Sequence, residues 1–233
     1  MELQRNDVVD LSVIMPCLNE ETTVGISVLE AKRFLDEHDI IGEVIVVDNG
    51  STDLSVEVAK QHGALVLSEP SRGYGNALRA GFRNARGRIT IMGDCDTTYD
   101  FLNLGDMYAL LNSGSWDLVV GNRYAGGIEK GAMPVLHKLG VRFLSYCGRK
   151  RYGVTVYDFH CGLRGFTKQA CEKMNLEAEG MEFATEMIAK AAKNHLRITE
   201  IPVCLRKCQH NRKSKLRTFR DGMRHLMYIL SHT

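Results

Sequence analysis

Short apolar runs alternate with amphipathic stretches through the first half of this chain, and that alternation leaves few ways to fold. Leu11–Met15, Glu43–Val47, Ala64–Leu67, Arg88–Met92 and Asp117–Val120 read as strands. Between them, Thr22–Asp36, Asp53–His62, Asn76–Ala85 and Tyr99–Asn112 carry helical spacing, with Val24, Ser27, Val28, Ala31 and Leu35 on one face of the first. Repeated β-α units with short loops form a mostly parallel sheet with helices on both faces, so the expected fold class is α/β. The second half breaks the rhythm. Val135–Cys147 reads as helix, Gly162–Phe166 as a short strand, Glu182–Asn194 as helix and Leu196–Ile201 as strand. A basic stretch over 203–214 precedes a final helix from Leu216 to about Leu230. No internal repeat, low-complexity tract or linker divides the 233 residues, which read as one domain.

Net charge is only +2, so there is no overall nucleic-acid footprint. The charge is uneven, however. Arg206, Lys207, Arg212, Lys213, Lys215 and Arg217 crowd one late segment, and Arg149, Lys150 and Arg151 form a smaller cluster. Six cations that close repel one another unless an anion joins them; the alternative is a solvated loop. The seven cysteines follow no framework and no signal peptide is read before them, which points to a reducing cytosol. Cys204, Cys208 and His210 lack a second close pair and read as ordinary residues rather than zinc ligands. No apolar run approaches the roughly 18 residues of a membrane span.

In an open α/β sheet, ligands bind beyond the carboxyl ends of the strands. Polar residues gather at those ends: Asn19-Glu20-Glu21, Asp48-Asn49-Gly50-Ser51-Thr52-Asp53, Asp94-Cys95-Asp96 and Asn122-Arg123. Asp94 and Asp96 stand one residue apart at the end of a buried strand. Carboxylates that close repel unless a cation or solvent lies between them, which points to a divalent metal. Asp48 directly follows a buried strand, well placed to accept from ribose hydroxyls, whereas Asp53 either joins it or caps the next helix. Gly73 and Gly75 permit close backbone approach ahead of a helix. The stretch is neither Gly-x-Gly-x-x-Gly nor a P-loop, so dinucleotide oxidoreductase and P-loop nucleotidase chemistry lose ground.

The motifs Leu11–Glu20, Val46–Asp53, Arg72–Ala77 and Gly93–Asp96, followed by Gly121–Tyr124, Asp158–Arg164 and Met181–Glu186, resemble family 2 glycosyltransferases of the GT-A fold. The later set looks like the dolichyl- or polyprenyl-phosphate glucosyl and mannosyl synthases. The resemblance covers about residues 10 to 226. It implies that about residues 10–122 bind the nucleotide sugar, a UDP- or GDP-hexose, and that 123–233 form the acceptor half. Pro16, Asn19 and Glu20 would line the nucleoside pocket and Asp48 would hold base or ribose, with Asp53 nearby. Gly73 and Gly75 would admit the nucleotide. Asp94 and Asp96 would hold Mg²⁺ or Mn²⁺ on the diphosphate. Arg123 and Arg164 would hold an acceptor phosphate, and Arg212, Lys213 and Lys215 would close over the diphosphate. Thr97 and Thr98 stand where relatives often carry a third acidic or amide side chain, so the metal would rest on two carboxylates plus water and phosphate.

Direct attack on the sugar carbon inverts it through an oxocarbenium-like transition state. A phosphate acceptor needs no strong base, and Asp158 and His160 would then position. A hydroxyl acceptor needs Asp158, His160 or Glu182 as base. His160 has a bland alternative as a hydrogen-bonded interior residue, and Glu182 and Glu186 either face one site or flank a solvated helix. Many relatives extend into membrane helices, whereas this chain ends soon after an amphipathic helix. Peripheral attachment to the cytoplasmic membrane face and a small soluble acceptor are both open. Nucleotidyltransferase and non-catalytic sugar-nucleotide binder are the competing classes. The first would want a glycine-rich basic loop where Pro16–Glu20 stands, and the second would not need both the Asp pair and the late cations.

Overall fold

The computed structural model describes residues 8–208 and 218–232. Its first half runs β1 (Leu11–Cys17), α1 (Val24–Glu37), β2 (Gly42–Asp48), α2 (Ser55–Gln61), β3 (Leu65–Ser68), α3 (Tyr74–Asn84), β4 (Ile89–Met92), α4 (Gly105–Asn112), β5 (Leu118–Asn122). The rest is α5 (Arg123–Gly126), α6 (Val135–Tyr152), β6 (Arg164–Thr167), α7 (Lys168–Met174), α8 (Phe183–Lys193), β7 (Ile198–Pro202) and α9 (Thr218–Ser231). One sheet, ordered β3-β2-β1-β4-β6-β5-β7, runs through both halves.

β1, β2 and β4 are buried almost throughout, which is why their sequences are near-continuous apolar runs rather than alternating ones. The face expected of α1 is the buried one: Val24, Ser27, Val28, Ala31 and Leu35, joined by Phe34. α3 packs across β1 and β2, and glycine is required at Gly81 because a β-carbon there would stand 2.5 Å from Ile14 Cγ2.

Strand β6 departs from the parallel pattern. It pairs antiparallel with both β4 and β5, with Arg164 opposite Met92 on one side and Val120 on the other. All other strand pairs are parallel. The reversal matters for the site. The segment entering β6 arrives at the same sheet edge as the carboxyl ends of β1, β2, β4 and β5.

Several boundaries differ from the sequence expectation, two of them for a clear local reason. The helix expected from Tyr99 begins at Gly105, because Tyr99, Phe101 and Leu104 turn into the core and Asp100 Oδ1 accepts from Leu102 N. Helix α6 continues to Tyr152, where Gly153 takes the left-handed conformation (φ 66°) that ends a helix. Helices α5 and α7 were unexpected; Thr167 caps α7 by accepting from Ala170 N at 3.2 Å. No helix among the described residues is long and apolar enough to cross a membrane.

Away from the site, Glu43 is buried between Ser12 and Arg86, with Ser12 Oγ donating at 2.7 Å and Arg86 N at 2.8 Å. Burial pushes its carboxyl up, but the bonds from Arg86 and Ser12 outweigh this and hold it below the ordinary 4.5. Replacing Glu43 by Gln is expected to cost about 1–2 kcal/mol at neutral pH. Because the folded-state pKa is the lower one, the stabilisation is present above the ordinary carboxylate pKa and fades as pH falls through the folded value. Urea denaturation of both proteins at neutral pH and near pH 3 (about one unit below a free carboxylate) checks whether the gap closes.

Candidate active site

At the carboxyl ends of β1 and β2 two loops are stitched together. Asn19, at φ 51°, donates through its backbone to Ser51 Oγ at 2.9 Å and accepts at Oδ1 from Thr52 N at 2.7 Å. Glu20 N donates to Ser55 Oγ at 2.6 Å, and Glu21 N to Asp53 Oδ2 at 3.2 Å. Asp48 accepts from Ser51 N and Gly50 N, closing its own turn. Asp53 Oδ1 accepts from Ser55 N at 3.0 Å and from its hydroxyl. Burial pushes the Asp53 carboxyl up, and the bonds from Ser55 and Glu21 outweigh it and hold it low. Asp53 therefore braces the loops, while the N-cap position of α2, the local role expected of it, falls to Leu54. Pro16 ends the neighbouring face of β1, its carbonyl accepting from Cys95 Sγ at 3.3 Å.

The Asp94-Cys95-Asp96 turn follows β4. Cys95 is buried, as its place between two polar residues predicts, while Asp94 and Asp96 remain partly exposed. Asp96 Oδ1 accepts from Thr98 N at 3.1 Å and Thr98 Oγ1 at 2.5 Å. Thr97, a β-branched residue, is held at φ 64°. Such strain persists only where surrounding structure over-determines it, and it sits beside the carboxylate pair. Asp94 is pressed against the loop before β6. A β-carbon on Gly162 would lie 2.8 Å from Asp94 Oδ2, and Gly162 N donates to the buried Tyr99 hydroxyl at 2.8 Å. Gly162 and Tyr99 border this turn and were not singled out from the sequence, whereas Thr98, noted there as standing in place of a third ligand, holds Asp96. Among the described residues no three or more His, Cys, Asp and Glu side chains form a ready-made metal cage. The two partly exposed carboxylates are hard oxygen donors of the kind Mg²⁺ and Mn²⁺ take alongside water and phosphate.

Opposite Asp94 on the same edge lies a buried ion pair. Asn122 caps α5 by accepting from Tyr124 N and Ala125 N, which sets Arg123 at the first helical position. Arg123 grips Asp158 with two parallel bonds, Nε to Oδ2 at 2.7 Å and Nη2 to Oδ1 at 2.8 Å, and its backbone N adds a third at 3.1 Å. Glu200 Oε1 on β7 accepts from Asp158 N at 2.8 Å. Both Asp158 oxygens are thus engaged by one guanidinium.

Arg164, expected at an acceptor phosphate, lies elsewhere. It is wholly buried and donates to three backbone carbonyls: Cys161 O at 2.8 Å, Ala184 O at 2.7 Å and Phe159 O at 2.5 Å. Its charge shapes the 159–161 loop and the start of α8. His160 stands in that loop between Asp158 and Gly162. Burial, then its neighbours His225, Arg123, Arg164 and His137, holds its imidazole well below the ordinary histidine range, so it is neutral at pH 7.

Glu182 accepts from Gly180 N and pairs with Arg224 at 3.1 Å. Glu186 is buried, accepting from the backbone N of Glu177 and Ala178 and pairing with Lys190. Both line one cavity of about 370 Å³ rather than a solvated helix face. What Gly73 and Gly75 admit is the chain's own backbone. β-Carbons there would stand 2.3 Å from Glu179 O and 2.1 Å from Ala178 O. Arg212, Lys213 and Lys215 lie outside the described residues. The chain leading to them is pinned beside the carboxylate turn, Arg206 N donating to Thr98 O at 2.9 Å while its guanidinium pairs with Glu30 and Asp100.

Removing one partner of a buried pair strands a charge. Asp158→Ala is expected to cost about 3–5 kcal/mol in denaturant unfolding, and the double change Arg123→Met with Asp158→Leu to recover most of it. A single-variant loss under about 1 kcal/mol, the worth of an exposed pair, would show that the pair does not support the loop.

Residues 12–174 match the family described as glycosyl transferase family 2. Among curated relatives, the low-salt glycan biosynthesis hexosyltransferase Agl6 of Haloferax volcanii is 40% identical over 223 residues, covering 94% of this chain and 53% of that protein. The chain thus spans about half the length of that relative. The dolichyl-phosphate hexose transferase of the same organism is 30% identical over 213 residues, covering 91% and 89%. Among solved structures, glucosyl-3-phosphoglycerate synthase from Mycobacterium tuberculosis, in complex with Mn²⁺, UDP and phosphoglyceric acid, superposes with TM-score 0.76 at 22% identity over 96% of this chain and 79% of that one. That likeness carries the fold, which is of the GT-A type. By the extent of the family match and the identity to the second relative, the chain belongs to glycosyl transferase family 2.

Proposed function

We propose that this glycosyltransferase moves a hexose from a UDP- or GDP-sugar to the phosphate of a polyprenyl or dolichyl chain, inverting the sugar carbon with the help of Mg²⁺ or Mn²⁺. The observation that carries the reading is that both candidate carboxylate bases are held in ion pairs and the candidate histidine is a weak base. Asp158 holds Arg123, Glu182 holds Arg224, and burial keeps His160 neutral and weakly basic. A hydroxyl nucleophile needs a base of matched pKa, whereas a phosphate monoester is already an anion. In this reading the segment 10–122 handles the donor. Pro16, Asn19 and Glu20 border the nucleoside, and Asp48 meets the ribose. A cation held by Asp94 and Asp96 would offset charge developing on the diphosphate leaving group. The segment 123–233 handles the acceptor, with Arg123, oriented by Asp158, lending its charge to the incoming phosphate. Arg164 acts on the loop rather than on the ligand. Arg212, Lys213 and Lys215 belong to the same reading as a clamp over the diphosphate.

A second observation favours a lipid acceptor over a soluble one. Val135, Leu136, Leu139, Phe143 and Tyr146 are exposed along a single stripe of α6, and Met223, Met227 and Leu230 along one of α9, which packs against it. Helix α6 carries Lys138, Arg142, Arg149, Lys150 and Arg151 and no acidic residue. An apolar stripe flanked by cations suits the surface of an anionic membrane. The Haloferax relative named a dolichyl-phosphate hexose transferase is consistent with that acceptor. Peripheral attachment at the cytoplasmic face follows from the same reading.

Calorimetry with UDP-glucose and GDP-mannose, with and without Mn²⁺, tests the donor side. One nucleotide is expected to bind only with metal, and Asp96→Ala is expected to lower transfer by about 10²-fold or more. Failure of every sugar nucleotide to bind with metal present would sink the reading. On the acceptor side, labelled hexose is offered to a polyprenyl phosphate and to phosphoglyceric acid. Transfer to the second alone would replace the lipid by a soluble acceptor. Leu139→Glu with Phe143→Glu is expected to release the protein from anionic vesicles in sedimentation while leaving nucleotide binding intact.

A further inference from the structure

His160 does not end the chain of contacts. Its Nε2 lies 3.5 Å from the Thr185 hydroxyl on α8, and the same hydroxyl lies 2.8 Å from Nδ1 of His225 on α9. The two rings meet edge to face with centroids 4.3 Å apart. Thr185 is wholly buried and His225 nearly so. The other nitrogen of His160, Nδ1, is sealed from solvent and has no hydrogen-bond partner. An orphaned polar atom next to a reaction centre calls for a physical reason.

The segment carrying His160 runs between the two anchor points of the site. Two residues before it, Asp158 holds Arg123; two residues after it, Gly162 lies against Asp94. One hydroxyl has one proton to give, so Thr185 cannot donate to both rings. If it donates to His225 Nδ1 across the short contact, it must accept from His160 Nε2. That leaves a lone pair on His160 Nδ1. If it donates to His160 instead, Nδ1 carries a buried N–H with no acceptor. Orphaned N–H groups are the rarer case.

We propose that Thr185 and His225 are positioning residues that fix His160 as the Nε2–H tautomer, so that its Nδ1, closed to water in the ligand-free protein, is held as an acceptor for a ligand O–H that reaches it once ligand binding displaces the 158–162 segment. This rests on the donor and acceptor reading above. The O–H belongs either to the hexose or to a singly protonated acceptor phosphate. His160 receives a hydrogen bond here and does not abstract the proton, in keeping with its neutral, weakly basic ring. His225 also gives α9 a link to the site. The helix that bears Met223, Met227 and Leu230 on its exposed face reaches His160 through one hydroxyl on its buried face.

The test is nitrogen NMR of the full chain labelled at histidine, with the His160 signals assigned by their loss in His160→Gln. The expected wild-type spectrum has protonated Nε2 and unprotonated Nδ1 at neutral pH. Thr185→Val and His225→Phe are expected to mix the tautomers and to lower kcat about tenfold, the worth of one hydrogen bond, with the donor KM within about twofold. Thr185→Ser and His225→Asn keep a hydroxyl and an acceptor, and are expected to restore both tautomer and rate. Adding UDP-hexose with Mn²⁺, then a short isoprenyl phosphate, shows which ligand shifts the Nδ1 resonance and so which O–H it meets. A protonated Nδ1 in the wild type, an unmixed tautomer in Thr185→Val, equal losses in conservative and non-conservative variants, or an Nδ1 unmoved by both ligands would each overturn the proposal. The ligand-free tautomer and its response to the variants do not depend on sugar-nucleotide binding, so failure of the donor reading is seen separately.

Discussion

The buried pair between Arg123 and Asp158 is the constraint from which the second half of the site is built. It joins the end of β5 to the segment that enters β6. Two charges are rarely sealed away unless geometry is good and the remaining donors and acceptors are used. Here the carboxylate takes both guanidinium branches and a backbone N–H, and Glu200 receives the backbone N–H of Asp158 from the far side. Because Asp158 is fixed, the next four residues have little freedom. Phe159 and Cys161 turn their carbonyls onto Arg164, and Gly162 comes to rest on Asp94. The donor and acceptor sides of the cleft are thereby held in one frame.

The reversed strand β6 explains why that frame exists. In an all-parallel arrangement the residues preceding a strand lie at the opposite edge of the sheet from the ligand-binding ends. Antiparallel insertion between β4 and β5 brings the 158–162 loop to the carboxyl edge, and the flanking strands position Asp94 and Arg123 on either side. Arg164, opposite both Met92 and Val120, then occupies the sheet interior beneath the loop. Its three carbonyl partners satisfy donors that would be costly to bury bare.

The two arginines illustrate how far residue type alone can be read. Both stand in polar-looking motifs, Arg123 just after an expected strand and Arg164 within one, and both were expected to hold phosphate. Arg123 is set at the first position of a capped short helix at the cleft edge. Arg164 is the first residue of a strand flanked on both sides, and burial follows from that pairing. The same distinction separates Glu182 from Glu186: one helical turn apart, one pairs with Arg224 and the other ties down the 177–178 backbone. The glycines at 73 and 75 were read as admitting a nucleotide, and it is the chain itself that lies against them.

The pattern of apolar runs determined on its own that this chain is α/β, where most elements lie and at which sheet edge the polar residues collect. Those are consequences of period and burial, which local sequence carries. The Asp94-x-Asp96 turn, the buried Cys95 and the buried face of α1 were legible for the same reason. A stronger use of capping would have found α7 from Thr167, and Asn122 marked α5 in the same way. The direction of β6 was not legible, since a four-residue strand buried on both sides looks alike in either orientation. Nor was the choice of which charges are sealed in pairs, or the joining of His160 on one loop to Thr185 and His225 on two separate helices. Those depend on contacts across long stretches of sequence, where the partner's identity is decided by packing geometry and by the need to satisfy every buried donor and acceptor.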